Sequence, residues 1–224
     1  MCDVRHDPSR RRFVGIASLA TGALVVNGVS LLFASGQAPP LRETADLVTG
    51  PFYPILKPGD QDGDMTLLRG RTNRAAGQVV QLSGSLTNVK GEPLRNTRLE
   101  IWQANTHGRY SHPSDPNTRM PLDPDFQGYA LVRTDNDGRY RITTIKPGAY
   151  PTARGDMRAP HIHFEIHGQT DRKVTQLFFP NEPLNAQDRH LNSVRRPETL
   201  IANVAASSPG TELVATWDIV LTTG

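Results

Sequence analysis

Apolar and polar residues alternate along most of the chain beyond residue 76. In RLEIW, Leu99 and Ile101 would face one side of an extended backbone, and Glu100 and Trp102 the other. A period of two residues is typical of a β-strand with one face against a core. Similar segments follow along the chain: QVVQLSGSL at 78–86, YALVRT at 129–134, RYRITTI at 139–145, HIHFEIHG at 161–168, KVTQLFF at 173–179 and TELVATWDIVLT at 211–222.

Turn-forming residues separate these segments. The chain contains 19 glycines and 18 prolines, which favour many short strands joined by turns. Asn88–Gly91 is predicted to form a turn, and Asp135–Gly138 is predicted to close a hairpin between its flanking strands. Only ETLIANVAA at 198–206 has a helical pattern. We therefore predict an all-β fold, a β-sandwich of mostly antiparallel strands with long loops.

Three parts of the chain differ in character. Residues 77–224 are the predicted β-sandwich domain. Residues 37–76 are rich in Pro, Gly and Asp and include GPFYP at 50–54, which predicts an extended arm or loop. Residues 1–36 have a different pattern, which is that of a targeting segment.

These first 36 residues resemble a twin-arginine export signal. Residues 9–14 read SRRRFV, and an uncharged stretch rich in Gly, Ala and Ser runs from Phe13 to Gly36. A permanent membrane anchor is the alternative, because the stretch is just long enough to span a bilayer. Its glycines, serines and Asn27 make it only weakly apolar, which favours a signal. We therefore expect the export machinery as a partner and a periplasmic or otherwise exported location.

Charge and cysteine content exclude several functions. The formal net charge is +3, and residues 1–36 hold four arginines against two aspartates. The remaining chain has no long basic stripe with interleaved aromatic residues, so nucleic acid is not an expected partner. Cys2 is the single cysteine, which excludes a disulfide within the chain and a cysteine-based zinc site.

HIHF contains the first residues that indicate a chemical role. Positions i and i+2 of a strand face the same side, so His161 and His163 can bind one metal ion while Ile162 points away. This pattern alone also fits histidines with a packing role. His167 has the same parity, but it lies about 13 Å from His161 along an extended strand, too far for the same ion.

Two tyrosines occur in loops that follow predicted strands. Tyr110 lies in WQANTHGRYSHP at 102–113, and Tyr150 lies in IKPGAYP at 145–151. Loops at strand ends often present functional groups, although either tyrosine could simply cover the core. A phenolate is a hard anionic oxygen ligand that suits iron(III), and neutral imidazoles can complete such a site.

At these residues the chain resembles the intradiol ring-cleavage dioxygenases, in particular their protocatechuate 3,4-dioxygenase branch. The resemblance runs from about Gly50 to the strand TWDIVLT. Its segments occur in the family's order: IWQANTHGRY, PLDPDFQGY, TDNDGRYRITTIKPGAYP, RAPHIHFEI and VTQLFFP. It implies that the sandwich is a catalytic domain with an iron(III) cofactor. The implied substrates are O2 and a small catechol-type, protocatechuate-like diol, whose ring opens between the hydroxyl carbons to a muconate-type acid.

The family's site residues fall on particular positions of this chain. The resemblance implies four metal ligands: Tyr110, Tyr150, His161 and His163. Tyr150 corresponds to the ligand that is released when substrate binds, so it is also a catalytic residue. Arg158 corresponds to the family's active-site arginine and would stabilise negative charge on the ring. The predicted substrate-binding residues are Phe52, Tyr53, Thr152 and Gln176.

Two departures from the protocatechuate branch concern the substrate and the subunits. Thr152 lies where these enzymes typically have tryptophan, and the interval from Tyr150 to His161 looks about two residues shorter, so the pocket wall is altered. The branch also divides the Gly-Pro-aromatic arm and the metal ligands between two related subunits. Here Gly50–Tyr53 and all four ligands share one chain, which implies a homo-oligomer or a self-sufficient monomer.

Two other classes of protein fit parts of the pattern. LSGSLTNVKGEPLRNTRLEIW followed by TDNDGRYRI is also typical of a transthyretin-like or carbohydrate-binding sandwich without enzymatic activity. In such a periplasmic binding module the histidines and tyrosines would have structural roles only. A copper protein that uses the H-x-H pair is a third interpretation. Colour and metal content distinguish the three, because only the dioxygenase predicts a burgundy protein with about one iron per chain.

Overall fold

A computed structural model describes residues 40–205 and 211–223. These residues belong to one compact unit. The predicted export signal at residues 1–36 lies outside the described residues. No helix within the described ranges has the length and apolar character needed to cross a bilayer.

Most of the regular structure in this part of the chain is β-strand. The strands are β1 Val79–Asn88, β2 Arg98–Trp102, β3 Tyr129–Arg133, β4 Arg139–Ile145, β5 Tyr150–Pro151, β6 Met157–Arg158, β7 His161–His167, β8 Arg172–Phe178, β9 Asn203–Val204, β10 Leu213–Thr216 and β11 Ile219–Leu221. Three short 3₁₀ helices span Pro183–Ala186, Leu191–Ser193 and Pro197–Leu200.

The strands form two main sheets and one small one. In the first sheet, β1 pairs antiparallel with β4 and parallel with β10 and β11, while β9 pairs with β10. The second sheet has the order β3-β2-β7-β8 and is antiparallel throughout. β5 and β6 form a separate antiparallel pair. The prediction of mostly antiparallel strands is confirmed.

The core lies between the two main sheets. Leu82 of β1 and Ile142 of β4 belong to the same buried cluster as Ile101 of β2 and Phe164 of β7. Phe164 is fully buried, and its ring lies 5.0 Å from that of Trp217. Burial of each such side chain contributes roughly 1.5–3 kcal/mol. This face-to-face packing confirms the predicted β-sandwich.

The predicted hairpin at Asp135–Gly138 is wrong, although the turn itself forms. Asp135 Oδ1 accepts hydrogen bonds from the backbone N–H groups of Asp137 and Arg139, at 2.9 and 2.8 Å. However, β3 pairs with β2 in one sheet and β4 pairs with β1 in the other. The turn therefore connects the two sheets. The turn residues reverse the direction of the chain, whereas contacts with residues far away in sequence determine which strands pair.

The predicted helix at 198–206 is largely wrong as well. A 3₁₀ helix at Pro197–Leu200 is followed by β9, in which Val204 pairs with Ala215 of β10. Ile201 forms an isolated bridge with Phe178 of β8. Pairing with both sheets outweighs the helical spacing of the apolar residues, because sheet hydrogen bonds and burial exceed local propensity.

The segment 40–76 contains isolated bridges but no strand or helix of its own. Its first part is tied to β8. The Leu47 N–H donates to the Val174 carbonyl at 2.9 Å, and the buried Lys173 ammonium contacts Glu43 and Asp46 at 2.9 and 2.8 Å. The segment then crosses the outer face of the second sheet, where the chemically interesting residues lie.

Candidate active site

His161 and His163 begin β7 and project from the same face of the second sheet. Their Nε2 atoms lie 3.2 Å apart, and both side chains are almost fully buried. Ile162 points into the core between the sheets. In the sheet register, His163 lies between Trp102 of β2 and Gln176 of β8. The alternation of the strand therefore brings the two imidazoles together.

The loop after β2 places Tyr110 beside these histidines. Asn105 Oδ1 accepts hydrogen bonds from the backbone N–H groups of His107 and Arg109, at 2.9 and 3.1 Å, which tightens the turn. The Tyr110 N–H donates to the buried carboxylate of Asp115 at 2.7 Å. The backbone of Tyr110 is thus fixed from both sides.

Two glycines allow the Tyr110 loop to touch the Tyr150 loop. Gly108 has a φ of 73°, and a Cβ atom there would lie 2.2 Å from the Ala149 carbonyl oxygen. A Cβ atom on Gly148 would lie 2.5 Å from the Gly108 nitrogen. Only glycine tolerates both the positive φ and such close backbone approach. The crossing brings the rings of Tyr110 and Tyr150 to 5.4 Å.

The four side chains converge on one point. Tyr110 Oη lies 3.1 Å from His163 Nε2, and Tyr150 Oη lies 3.3 Å from His161 Nε2. Together with the 3.2 Å between the histidines, these distances form a continuous row of two phenol oxygens and two imidazole nitrogens. All four side chains are at most 5% exposed. We call Tyr110, Tyr150, His161 and His163 the Tyr–His cluster.

Burial determines the protonation states of the cluster in the absence of a cation. Desolvation raises the pKa of Tyr110 well above its usual value and also raises that of Tyr150. Desolvation, assisted by the nearby Arg158 charge, lowers the pKa of both histidines well below the usual range. At neutral pH the cluster alone therefore consists of neutral phenols and neutral imidazoles.

The donor atoms of the cluster fit a hard metal cation. His161 Nδ1 lies 2.6 Å from the Ala159 carbonyl, which can only accept, so Nδ1 carries the hydrogen and the Nε2 lone pair faces the cluster. His163 Nε2 faces the same point. Two phenol oxygens complete a set of two nitrogen and two oxygen donors. Such a set suits iron(III), whose charge would also deprotonate the phenols.

Arg158 is held rigidly beside the cluster. Tyr150 and Arg158 are direct partners in the β5–β6 pair. The Arg158 side chain is buried, its Nε donates to Asp188 at 2.9 Å, and its Nη2 donates to Gln176 Oε1 at 2.6 Å. Asp188 is fully buried and also accepts from the Ala159 N–H at 2.9 Å. The guanidinium is therefore a cation held in a fixed position next to Tyr150.

A cavity of about 860 Å³ reaches this site from the surface. Its wall includes Tyr150, Arg158, Phe52 and Thr152 of the predicted site residues. A volume in this range accommodates ligands larger than a single ring. The other two predicted substrate-binding residues, Tyr53 and Gln176, do not line it: Tyr53 donates to Glu100, and Gln176 supports Arg158.

Sequence reasoning missed several residues that organise the site. Asp188 and Asp115 are single acidic residues in irregular segments, and no spacing rule distinguishes them from surface acids. Trp102 is fully buried, and its ring stacks on His163 with 4.8 Å between the ring centres and 9° between the ring planes. The i, i+2 spacing does not disclose that contact, because it arises between neighbouring strands.

The fold and the cluster together define the class of protein, a β-sandwich with two tyrosines and two histidines gathered at one end of a sheet. The chain belongs to the Dioxygenase family, whose model matches residues 48–223. The resemblance to the intradiol ring-cleavage dioxygenases is confirmed.

Similar proteins include a beta chain and an alpha chain of protocatechuate 3,4-dioxygenases from two organisms. The chain is 40% identical over 153 residues to the protocatechuate 3,4-dioxygenase beta chain of Burkholderia cepacia, a match that covers 66% of this chain and 65% of that one. It is 30% identical over 174 residues to the alpha chain from Pseudomonas putida, covering 72% and 84%. This chain thus spans slightly less than two thirds of the beta chain.

A solved structure has the same fold. The dioxygenase domain of a dioxygenase–carbohydrate-binding protein fusion from Streptomyces sp. SirexAA-E superposes with a TM-score of 0.63 and 27% identity. The superposition covers 82% of this chain and all of that domain.

We expect Gly108→Ala to separate the two tyrosine loops. A methyl group at this position collides with the Ala149 carbonyl and requires an unfavourable positive φ. The near-ultraviolet circular dichroism of the buried tyrosines should change. Gly155→Ala is the control, since its φ is also positive but no atom lies within 4 Å of the added carbon. Equal spectra for the two variants would contradict the role of the crossing.

Asp188→Asn should destabilise the protein by about 3–5 kcal/mol, because it leaves the buried Arg158 charge without its anionic partner. Urea unfolding measures the loss. Asp137→Asn is the control, since the Asp137–Arg139 pair is exposed on both sides and its loss should cost less than about 1 kcal/mol. Similar losses for both variants would refute a special role for Asp188.

Proposed function

We propose that the protein is a non-haem iron(III) intradiol dioxygenase. It would insert both atoms of O2 into a catechol-type, protocatechuate-like diol and open the ring between the hydroxyl carbons to a muconate-type acid. The observation that supports this most is the Tyr–His cluster, in which two phenol oxygens and two imidazole nitrogens form a row with 3.1–3.3 Å between neighbouring atoms. The names of the similar proteins agree with this proposal.

The four members of the cluster would hold the iron. When bound, iron(III) would chelate both oxygens of the diol and make the ring reactive towards O2. Among the four side chains, only Tyr150 lines the cavity of about 860 Å³. An arriving diol would therefore meet Tyr150 first, and the Tyr150 Oη would be placed to accept a proton from a substrate hydroxyl.

Arg158 would stabilise the negative charge that develops on the substrate ring. Its guanidinium lines the cavity, and its contacts with Asp188 and Gln176 keep it in place without movement during the reaction. A fixed charge in a buried site acts more strongly than one in water, because the protein needs no reorganisation. Gln176 would contribute by holding Arg158, and Phe52 and Thr152 would contact the ring.

We also propose that the protein is exported and that it acts as a homo-oligomer or as a self-sufficient monomer. The resemblance of residues 1–36 to a twin-arginine signal supports folding and iron loading before export to the periplasm. The arm and the cluster share one chain, which supports a homo-oligomer or a self-sufficient monomer. A non-enzymatic binding module or a copper protein would give a protein without the tyrosinate–iron colour.

Tyr110→Phe tests the ligand assignment. The substitution removes one phenol oxygen and keeps the ring, so iron-loaded protein should lose or shift its visible tyrosinate-to-iron absorption band. Tyr140→Phe is the matched control, because Tyr140 is an equally buried tyrosine whose hydroxyl donates to the Trp217 carbonyl away from the cluster. An unchanged band in Tyr110→Phe would exclude this residue as a ligand.

Arg158→Ala should keep iron but reduce kcat by about 100-fold or more, as expected for loss of a group that stabilises transition-state charge. Iron content, absorption spectrum and ring-cleavage rate would be measured on the same sample. Arg158→Ala also leaves the buried Asp188 carboxylate without its ion-pair partner. The double variant Arg158→Ala/Asp188→Asn removes that unpaired charge and is therefore measured beside the single variant. Normal turnover in both variants would remove Arg158 from the mechanism.

A further inference from the structure

A buried carboxylate lies on the cluster-bearing face of the second sheet. Glu100 of β2 is 5% exposed, and one of its oxygens, Oε2, accepts three short hydrogen bonds. The donors are the Tyr53 hydroxyl at 2.6 Å, the Tyr129 hydroxyl at 2.7 Å and the Lys57 ammonium at 2.8 Å. Two of these donors belong to the arm at residues 40–76. Glu100 therefore ties the arm to the sheet.

The carboxylate is ionised, which makes these hydrogen bonds strong. Burial by itself raises the pKa of Glu100, but the hydrogen bonds from Lys57, Tyr53 and Tyr129 outweigh it and lower the pKa to about 2. The Lys57 ammonium also lies 3.8 and 4.1 Å from the ring centres of the two tyrosines. Charge-assisted hydrogen bonds of this kind are roughly twice as strong as neutral ones.

The tied part of the arm reaches His163 through a row of aromatic contacts. The ring of Tyr53 meets Trp102 edge-on at 5.0 Å, and Trp102 stacks on His163 at 4.8 Å. His163 Nδ1 is buried and has no hydrogen-bond partner among the described residues. The stacked indole lies nearly parallel to the imidazole and therefore restricts its rotation.

The same part of the arm forms one wall of the cavity. Phe52 lies next to Tyr53 in sequence, lines the cavity, and packs at 4.8 Å from the ring of Tyr110 and 6.1 Å from that of Tyr150. Gly50 lies so close to His163 that a Cβ atom there would approach the imidazole Cε1 to 3.3 Å. A shift of the arm would therefore change both the wall and the surroundings of the imidazole.

We infer that Glu100 is a positioning residue for the site: it fixes the arm so that Phe52 closes the substrate cavity and Trp102 holds the plane of His163. It touches neither the cavity nor the cluster and acts through Tyr53. The kinetic part of this inference rests on the proposed function, whereas the effect on the arm does not.

The neighbouring strand offers a matched control. Glu165 of β7 is the register partner of Glu100, lies on the same face and is also 5% exposed. Its carboxylate accepts from Arg172 at 2.8 Å and contacts His167 at 3.0 Å, and neither residue belongs to the arm. Glu165→Gln thus removes an equally buried charge without releasing Tyr53 or Lys57.

The experiment compares Glu100→Gln, Tyr53→Phe and Glu165→Gln in the full iron-loaded chain. Glu100→Gln and Tyr53→Phe should raise the KM for a catechol-type diol on the order of tenfold, the equivalent of one lost charge-assisted hydrogen bond, with a smaller change in kcat. The double variant Glu100→Gln/Tyr53→Phe should raise the KM no further than the more severe single variant, because both substitutions act on the same Tyr53–Glu100 hydrogen bond. Glu165→Gln should keep the wild-type KM and visible band.

Hydrogen–deuterium exchange of residues 50–57 gives a readout that needs no activity. Exchange should accelerate in Glu100→Gln and Tyr53→Phe but not in Glu165→Gln. If Glu100→Gln matches Glu165→Gln in both exchange and KM, Glu100 is only structural and the inference is overturned. If the wild-type protein cleaves no diol, the proposed function fails, and the exchange comparison still decides whether Glu100 holds the arm.

Discussion

The two phenol oxygens and the two imidazole Nε2 atoms of the Tyr–His cluster form a row with 3.1–3.3 Å between neighbouring atoms. The surrounding structure holds these four atoms in place. Burial keeps both phenols and both imidazoles neutral, since it raises the pKa of the former and lowers that of the latter. A hard cation would satisfy all four donors at once, which is the physical reason to regard the cluster as a metal site.

Three buried carboxylates each stabilise a different component around the cluster. Asp115 accepts from the backbone of Tyr110, Asp188 binds Arg158, and Glu100 binds the arm. None of the three belongs to the cluster or lines its cavity. A buried anion persists only where several donors surround it, so each carboxylate fixes the positions of its donors. These three carboxylates therefore hold the residues of the site in position without being part of it.

Local pattern predicted the longer strands, but not β9, which lies in the segment predicted to be helical, and not all of the pairing partners. Alternation placed Leu99 and Ile101 in the core and turned His161 and His163 to one face, because a strand's period is fixed by its backbone. The turn at Asp135–Gly138 was visible, yet its strands joined different sheets. The convergence of the tyrosines could be inferred from family resemblance but not from spacing, since two glycine-dependent loops must cross. Isolated acids such as Asp188 carry no sequence signal at all.

The cluster and the cavity meet at Tyr150, which belongs to both. β7 supplies the two histidines, the loop after β2 supplies Tyr110 and β5 supplies Tyr150, whereas the arm and the β5–β6 pair form much of the wall. Thr152 follows β5 directly and lines this wall, and its side chain is smaller than the tryptophan implied by the resemblance to the protocatechuate branch. Apart from Tyr150, the wall residues of the arm and of the β5–β6 pair are not members of the cluster. We therefore propose that residues of the arm and of the β5–β6 turn influence which diol binds, whereas the Tyr–His cluster supplies the proposed chemistry.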